Sequence, residues 1–237
     1  MSVLLRVSGL RGGYKDGLDI LRGIDLSVGR GEALGIIGLN GSGKSTLGKA
    51  ILNMIPFRRG EISFDGRDVT SLSTHELVRE GLSIMQQGGR VFGSLSVREN
   101  LSLAAAAAPA PAPSDLLTEL FPLLCQGDRR LRHLPADRLS GGQRHQLALA
   151  MALSSSPQLL ILDEPSAGLS PLAVGQMYDT LGRVRRMTGV SIILIEQNIS
   201  RADAFCGRCA LIRDGAVAAS FATGELESIE KELFNKQ

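Results

Sequence analysis

The chain has 237 residues, 43% of them apolar, with 26 Lys and Arg against 24 Asp and Glu. That length can bury one substantial core with a smaller attached lobe. The near balance of charge forces no nucleic-acid partner, and no apolar run approaches the roughly 20 residues of a membrane span.

Met1-Ser2-Val3-Leu4-Leu5-Arg6 lacks a signal-peptide layout, so the sequence predicts a chain that stays in the cytosol. Three cysteines, Cys125, Cys206 and Cys209, make no disulfide framework. Cys206-Gly207-Arg208-Cys209 is a lone C-x-x-C with no second pair at zinc-ligand spacing. It reads as two small residues entering a strand rather than a redox or metal site.

Val3–Val7 and Ile24–Val28 read as short strands of a small antiparallel sheet. Between them lies Gly12-Gly13-Tyr14-Lys15, with one of only two tyrosines in a chain that has no Trp. A flat aromatic in such a loop can stack on a nucleobase; a partly buried surface tyrosine fits the position equally well. Gly29–Glu32 turns the chain into Ala33-Leu34-Gly35-Ile36-Ile37, an apolar run that reads as a buried strand.

Gly38-Leu39-Asn40-Gly41-Ser42-Gly43-Lys44-Ser45-Thr46 follows at once. Gly, four residues, then Gly-Lys-Ser is the phosphate-loop pattern, and the residues beyond, Leu47 to Leu52, read as a helix. Glycines let the backbone turn so that successive N–H groups point into one concavity. The helix presents its positive N-terminal end to the same spot. In this pattern Lys44 reaches the outer phosphates and Ser45 places its hydroxyl on Mg²⁺.

Arg58–Glu61 reads as a turn and Glu61–Arg67 as a strand closing on Asp65-Gly66. Ser73 or Thr74 caps a short helix. Leu82–Met85 is a core strand that delivers Gln86-Gln87-Gly88-Gly89 at its C-terminal end, where open α/β sheets bind ligands. A glutamine there can touch a metal and a water through one amide; two glutamines before two glycines also make an ordinary turn.

Residues 95–150 carry no strand signal and read as an inserted helical lobe. Ser96 and Glu99 form a capping-box pattern. Pro109, Pro111 and Pro113 forbid helix and predict a stiff extended connector, after which Ser114–Phe121 resumes helix. Arg138-Leu139-Ser140-Gly141-Gly142-Gln143 opens a further helix over Arg144–Leu153. Its two glycines bare the first amides, which predicts a second anion site.

Gln158–Leu162 is an apolar run suited to a strand buried on both faces, and it ends in Asp163-Glu164. Two carboxylates at such a tip are costly without a task. Asp163 can hold Mg²⁺, and Glu164 can orient or deprotonate a water. Val190–Ile195 is another buried strand ending in Glu196-Gln197-Asn198. Ala210–Val217 is a hairpin around Asp214-Gly215, and Gly224–Phe234 reads as a charged amphipathic helix.

Together these segments resemble an ATP-binding-cassette (ABC) ATPase subunit over essentially the whole chain. Gly38–Thr46 is similar to that family's Walker A loop. Leu139-Ser140-Gly141-Gly142-Gln143 matches its signature motif letter for letter, and Leu159–Glu164 resembles Walker B with the catalytic glutamate. Gln87 stands where the family has its Q-loop glutamine, and Tyr14 where it has its adenine-stacking aromatic. The resemblance implies an α/β P-loop NTPase, a RecA-like core sheet with an N-terminal antiparallel β subdomain and an inserted helical subdomain near 95–150.

Two positions depart from the pattern. Gln197 replaces the usual switch histidine, and Gly168-Leu169-Ser170-Pro171 replaces a D-loop that usually ends Gly-Leu-Asp. A glutamine can still donate to a γ-phosphate but carries no proton or charge, so the expectation is hydrolysis that is modest or needs a partner. Glu-Gln-Asn, Gly-Leu-Ser-Pro and Glu119-Leu120-Phe121-Pro122 resemble the ATPase subunits of branched-chain amino-acid importers; a similar branch serves urea and short amides.

The implied cofactors are ATP and Mg²⁺. Catalytic positions are Glu164, Gln87 and Gln197, and the metal positions are Ser45, Gln87 and Asp163. Nucleotide positions are Tyr14, Gly38, Asn40, Gly41, Ser42, Gly43, Lys44, Ser45 and Thr46. The signature residues Ser140, Gly141, Gly142 and Gln143 would meet nucleotide held by a second cassette, identical or a sister. The other implied partners are membrane permease subunits and, indirectly, a solute-binding protein outside the membrane, which places the chain on the cytoplasmic face. A soluble cassette acting on DNA or ribosomes commonly has two cassettes or a long coiled coil, and this chain has neither. A small-molecule kinase would leave Leu139–Gln143 unexplained.

Overall fold

The computed structural model describes residues 2–108, 111–126 and 129–225. In chain order the elements are β1 (Val3–Gly13), β2 (Leu21–Gly29), β3 (Ala33–Ile37), α1 (Lys44–Ile51), β4 (Phe57–Phe64), β5 (Arg67–Asp68), α2 (Thr74–Arg79) and β6 (Leu82–Met85). Among the described residues five α-helices follow, α3 (Val97–Ala106), α4 (Ser114–Leu120), α5 (Pro122–Cys125), α6 (Arg129–His133) and α7 (Gly141–Leu153), with a 3₁₀ turn (Ala136–Arg138) before the last. Then come β7 (Leu159–Asp163), α8 (Pro171–Thr188), β8 (Ser191–Ile195), α9 (Ile199–Phe205), β9 (Arg208–Arg213) and β10 (Ala216–Ala222). The chain forms two compact units, one of Met1–Leu77 with Ser191–Gln237 and one of Val78–Val190.

The first unit holds an antiparallel sheet in the order β2-β1-β4-β5 and a run of strands in the order β10-β9-β3-β8. β3 is parallel to both neighbours, with Ala33 opposite Ile192 and Leu34 opposite Arg208. Every residue of β3 and of β8 is buried, as unbroken apolar runs between parallel neighbours require. α9 packs on β3, and it does so through a close fit. Gly35 faces the thiols of Cys206 and Cys209, and a side chain there would collide with Cys209 Sγ. The two cysteines are buried packing residues, and burial pushes the Cys209 thiol up to about 11.

Two strands are longer than their sequence suggested. β1 runs to Gly13 because the register shifts between Val7 and Leu10, a bulge that keeps the ladder going. Arg58–Glu61, expected as a turn, belongs to β4 instead. Gly60 sits opposite that bulge, where a Cβ would lie 2.7 Å from the Gly9 carbonyl oxygen and 2.8 Å from Leu10 Cα. The glycine is there for close approach of two strands rather than for a turn.

In the second unit β6 and β7 are parallel, Leu82 opposite Leu159 through Met85 opposite Leu162. Between them in sequence, all regular structure of residues 97–153 is helical among the described residues. α7 packs on α3 and β6. Ser96 and Glu99 satisfy each other's backbone in a capping box at α3. Of the proline-rich connector, Ala112 donates its amide to the Ser154 carbonyl at 2.9 Å, while Pro109 and Ala110 lie outside the described residues. So does nearly all of the expected helix over 224–234.

Candidate functional site

The first unit builds the phosphate loop. β3 ends at Ile37, and the chain turns through Gly38, Gly41 and Gly43, all at positive φ, before α1 begins at Lys44. At Gly38 (φ +150°) a methyl group would overlap the Ile212 carbonyl oxygen, so the loop backbone lies directly against β9. The Asp214-Gly215 turn fixes it from the other side. Gly215 donates its amide to the Ser42 carbonyl at 3.0 Å and accepts from the Arg22 amide at 2.7 Å. α1 starts without a side-chain cap. Its first amides and its dipole therefore serve the loop, which suits a phosphate.

Lys44 is buried, and its ammonium donates to the Gly38 carbonyl at 2.8 Å and the Leu39 carbonyl at 2.9 Å. It arches over the loop that an anion would enter. Ser42 Oγ is buried with no hydrogen-bond partner among the described residues, a polar atom left inside the cradle. Tyr14 follows the end of β1 and is 48% exposed. Lys49 Nζ, on α1, stands 6.0 Å from its ring centroid, so the ring and the loop's own helix share one neighbourhood. Gln197, after β8, is exposed, while Glu196 beside it is buried. Asn198 caps α9 by accepting from the Arg201 amide at 3.0 Å.

The second unit carries the acids. β7 delivers Asp163, 2% exposed, and Glu164, 7% exposed. Glu164 has φ +48°, an unusual conformation for a residue with a side chain. Its Oε2 accepts a 2.7 Å hydrogen bond from Gln87 Nε2, which comes from the loop after β6. The strand pairing of β6 with β7 brings these two together across 77 residues of sequence. Within this unit Asp163 and Gln87 offer a carboxylate and an amide oxygen, and in the first unit Ser45 offers a hydroxyl; all three are hard donors of the kind Mg²⁺ prefers. No cluster of three His, Cys, Asp or Glu among the described residues offers an all-protein metal cage instead.

The signature stretch opens α7 as its residue types require. Ser140 is the N-cap; its hydroxyl accepts from the Gln143 amide at 3.3 Å, and Gln143 Oε1 accepts from the Ser140 amide at 3.0 Å. A cavity of about 430 Å³ lies against this helix start, lined by Ser140, Gly141, Gly142, Gly168, Leu172 and Ala173 among others. Ser170, where the family pattern has aspartate, caps α8 by accepting from the Ala173 amide at 3.4 Å. Serine and aspartate are both strong caps, so the exchange keeps the turn. A second cavity, about 210 Å³, is lined in part by Gln86, Arg90, Ala104, Ala107, Ala148 and Met151.

Sequence reasoning named the loop, the acids and the signature. It missed the direct Gln87–Glu164 bond and the role of the Asp214-Gly215 turn as a brace under the phosphate loop. Both depend on contacts between segments far apart in the chain.

Against known proteins, the ABC transporter family profile matches residues 21–167. The chain belongs to the ABC transporter family. This cassette is 35% identical over 236 residues to a probable branched-chain amino acid transport ATP-binding protein, LivF, of Archaeoglobus fulgidus, covering 98% of this chain and 97% of that one. It is 32% identical to the high-affinity branched-chain amino acid transport ATP-binding protein BraG of Pseudomonas aeruginosa, over 86% of this chain and 87% of the other. Among solved structures it resembles cbiO1 of Clostridium perfringens, part of the ABC transporter complex cbiONQ (TM-score 0.78, 30% identity, covering 100% and 94%). It also resembles the ADP conformation of MJ1267, an ABC transporter cassette (TM-score 0.81, 25% identity, covering 100% and 96%). The cassette has the P-loop NTPase fold and is an ATPase that binds and hydrolyses ATP. No helix among its described residues is long and apolar enough to cross a membrane.

Proposed function

We propose that this cassette energises an importer of branched-chain amino acids or a related small polar solute such as urea or an amide. The end-to-end likeness to the A. fulgidus transport protein carries that reading. The cassette would sit on the cytoplasmic face of the membrane, docked on integral permease subunits that receive solute from a binding protein outside. The small-residue groove beside Gln86 and Arg90 is a fitting seat for a short permease helix. Nothing favours a nucleic-acid partner.

The chemistry is phosphoryl transfer to water. The amides of residues 41–46 and Lys44 would hold the outer phosphates, with Tyr14 stacked on the adenine. Mg²⁺, held by Ser45, Asp163 and Gln87, would neutralise charge on the transferring group. Glu164 would accept the proton of the attacking water, and Gln87 holds that carboxylate in one orientation. Ser140, Gly141, Gly142 and Gln143 would meet the γ-phosphate bound by a second cassette, identical or a sister. Contacts to that phosphate last only while it is attached, which couples closure and release to hydrolysis.

Affinity purification from detergent-solubilised membranes tests the importer reading. Recovery of a multi-span membrane partner, with ATP hydrolysis in the complex, is expected. Recovery of RNA or DNA with no membrane protein would overturn it.

A further inference from the structure

His145 lies one turn into α7 and belongs to none of the positions assigned above. It is buried, and its Nδ1 is 2.9 Å from the Gly141 carbonyl oxygen. A carbonyl only accepts, so Nδ1 carries the proton and donates. On another side His145 meets Gly89, two residues beyond Gln87. Gly89 has φ +58°, and a methyl group there would lie 3.2 Å from His145 Cα, Cγ and Nδ1. The backbone of the Gln87 loop therefore packs directly on this residue. Nε2 is buried with no hydrogen-bond partner among the described residues. An apolar side chain would fill the same space without an unsatisfied nitrogen, so packing alone does not account for an imidazole.

The Gly141 carbonyl and the Gly142 N–H belong to one rigid peptide plane. A donor pulling that oxygen toward the body of α7 aims the N–H out of the helix start. The His145 backbone N–H already holds that oxygen in the first turn of α7, and Nδ1–H adds a second donor to it, fixing the plane from the side chain as well. We propose that His145 is a positioning residue: through its Nδ1–H it sets the Gly142 amide, and through Gly89 it makes that setting depend on the loop that carries Gln87. This rests on the reading that Gly142 faces the γ-phosphate of a second cassette. The Gln87 loop and the signature amide then move as one piece, linked by an imidazole between them.

Comparison of His145→Leu with His145→Gln in the full chain tests this. Leucine removes the donor; glutamine restores an N–H of similar reach. His145→Leu is expected to lower kcat by about tenfold to a hundredfold, the scale of a misaimed catalytic group, while the Kd for ATP stays within about twofold. His145→Gln should recover kcat to within about threefold of wild type, since only the donor is needed. Gly89→Ala should lower kcat from the loop side, and the double variant Gly89→Ala/His145→Leu should be no worse than the poorer single one. Unchanged kcat in His145→Leu overturns the proposal. So does equal damage by leucine and glutamine, or full additivity with Gly89→Ala. Ser140→Arg, which blocks the helix mouth, separates the two levels. If it abolishes hydrolysis while His145→Leu does not, the His145 proposal alone fails. If it leaves hydrolysis intact, the reading of the signature fails, and this proposal with it.

Discussion

Replacing Gln87 by alanine removes the donor that holds Glu164 Oε2 at 2.7 Å. A hydrogen bond to a charged group contributes about 1.5–3 kcal/mol, and because Gln87 is exposed the lower end applies. About 1.5 kcal/mol in the transition state corresponds to roughly a tenfold loss of kcat. Glu164→Gln removes the base itself, and the expected loss is larger, about a hundredfold to ten-thousandfold. The informative measurement is the double variant. If Gln87 acts through the carboxylate, Gln87→Ala adds little once Glu164 is already glutamine. Steady-state hydrolysis by phosphate release, with single-turnover rates for the slow variants, gives all four corners of the cycle. With Mg²⁺ saturating, so that a lost metal ligand does not limit the rate, an equal tenfold slowing of the Glu164→Gln enzyme by Gln87→Ala would show that the two residues act independently and that the hydrogen bond does not carry the effect of Gln87.

Tyr14→Ala should weaken ATP binding about tenfold, the loss of one base stack, with kcat little changed; Tyr14→Phe should bind as wild type, as titration with a fluorescent ATP analogue would show. Gly215→Ala puts a methyl group into the Ile20 carbonyl oxygen and should cost at least about 3 kcal/mol, lowering Tm by roughly 6–12 °C in a thermal melt; an unchanged Tm would deny the brace. Burial holds the Cys209 thiol near 11, so it stays protonated at pH 8 and should react with Ellman's reagent only after denaturation. Gln197→His should raise ATP turnover of the isolated cassette, since imidazole can take a charge that an amide cannot; no change would argue against a weak switch.

The parts that were legible in the sequence are those whose chemistry is local. A phosphate loop must be glycine-rich, must follow a buried strand and must open a helix, so Gly38–Thr46 declared itself with its flanks. Ser140 and Gln143 likewise carry their cap in their own spacing. Glycine misled where its reason was distant. Gly12 and Gly60 read as interruptions, yet β1 and β4 continue through them, and Gly60 lies opposite the β1 bulge where a side chain would meet the Gly9 and Leu10 backbone. The Gln87–Glu164 bond was out of reach for the same reason. It exists only because β6 lies beside β7, and that adjacency is written in the sheet rather than in either segment.

The reciprocal cap at the start of α7 sets an order of events. Ser140 and Gln143 satisfy each other, which withdraws two of the helix's opening amides from any outside anion. The Gly141 and Gly142 amides are the ones this cap does not take, fewer donors than the uncapped loop before α1 offers over residues 41–46. Nucleotide should therefore load on each cassette singly and recruit the opposing surface afterwards. Raising ATP alone should then fill the phosphate loops well before it drives two cassettes together.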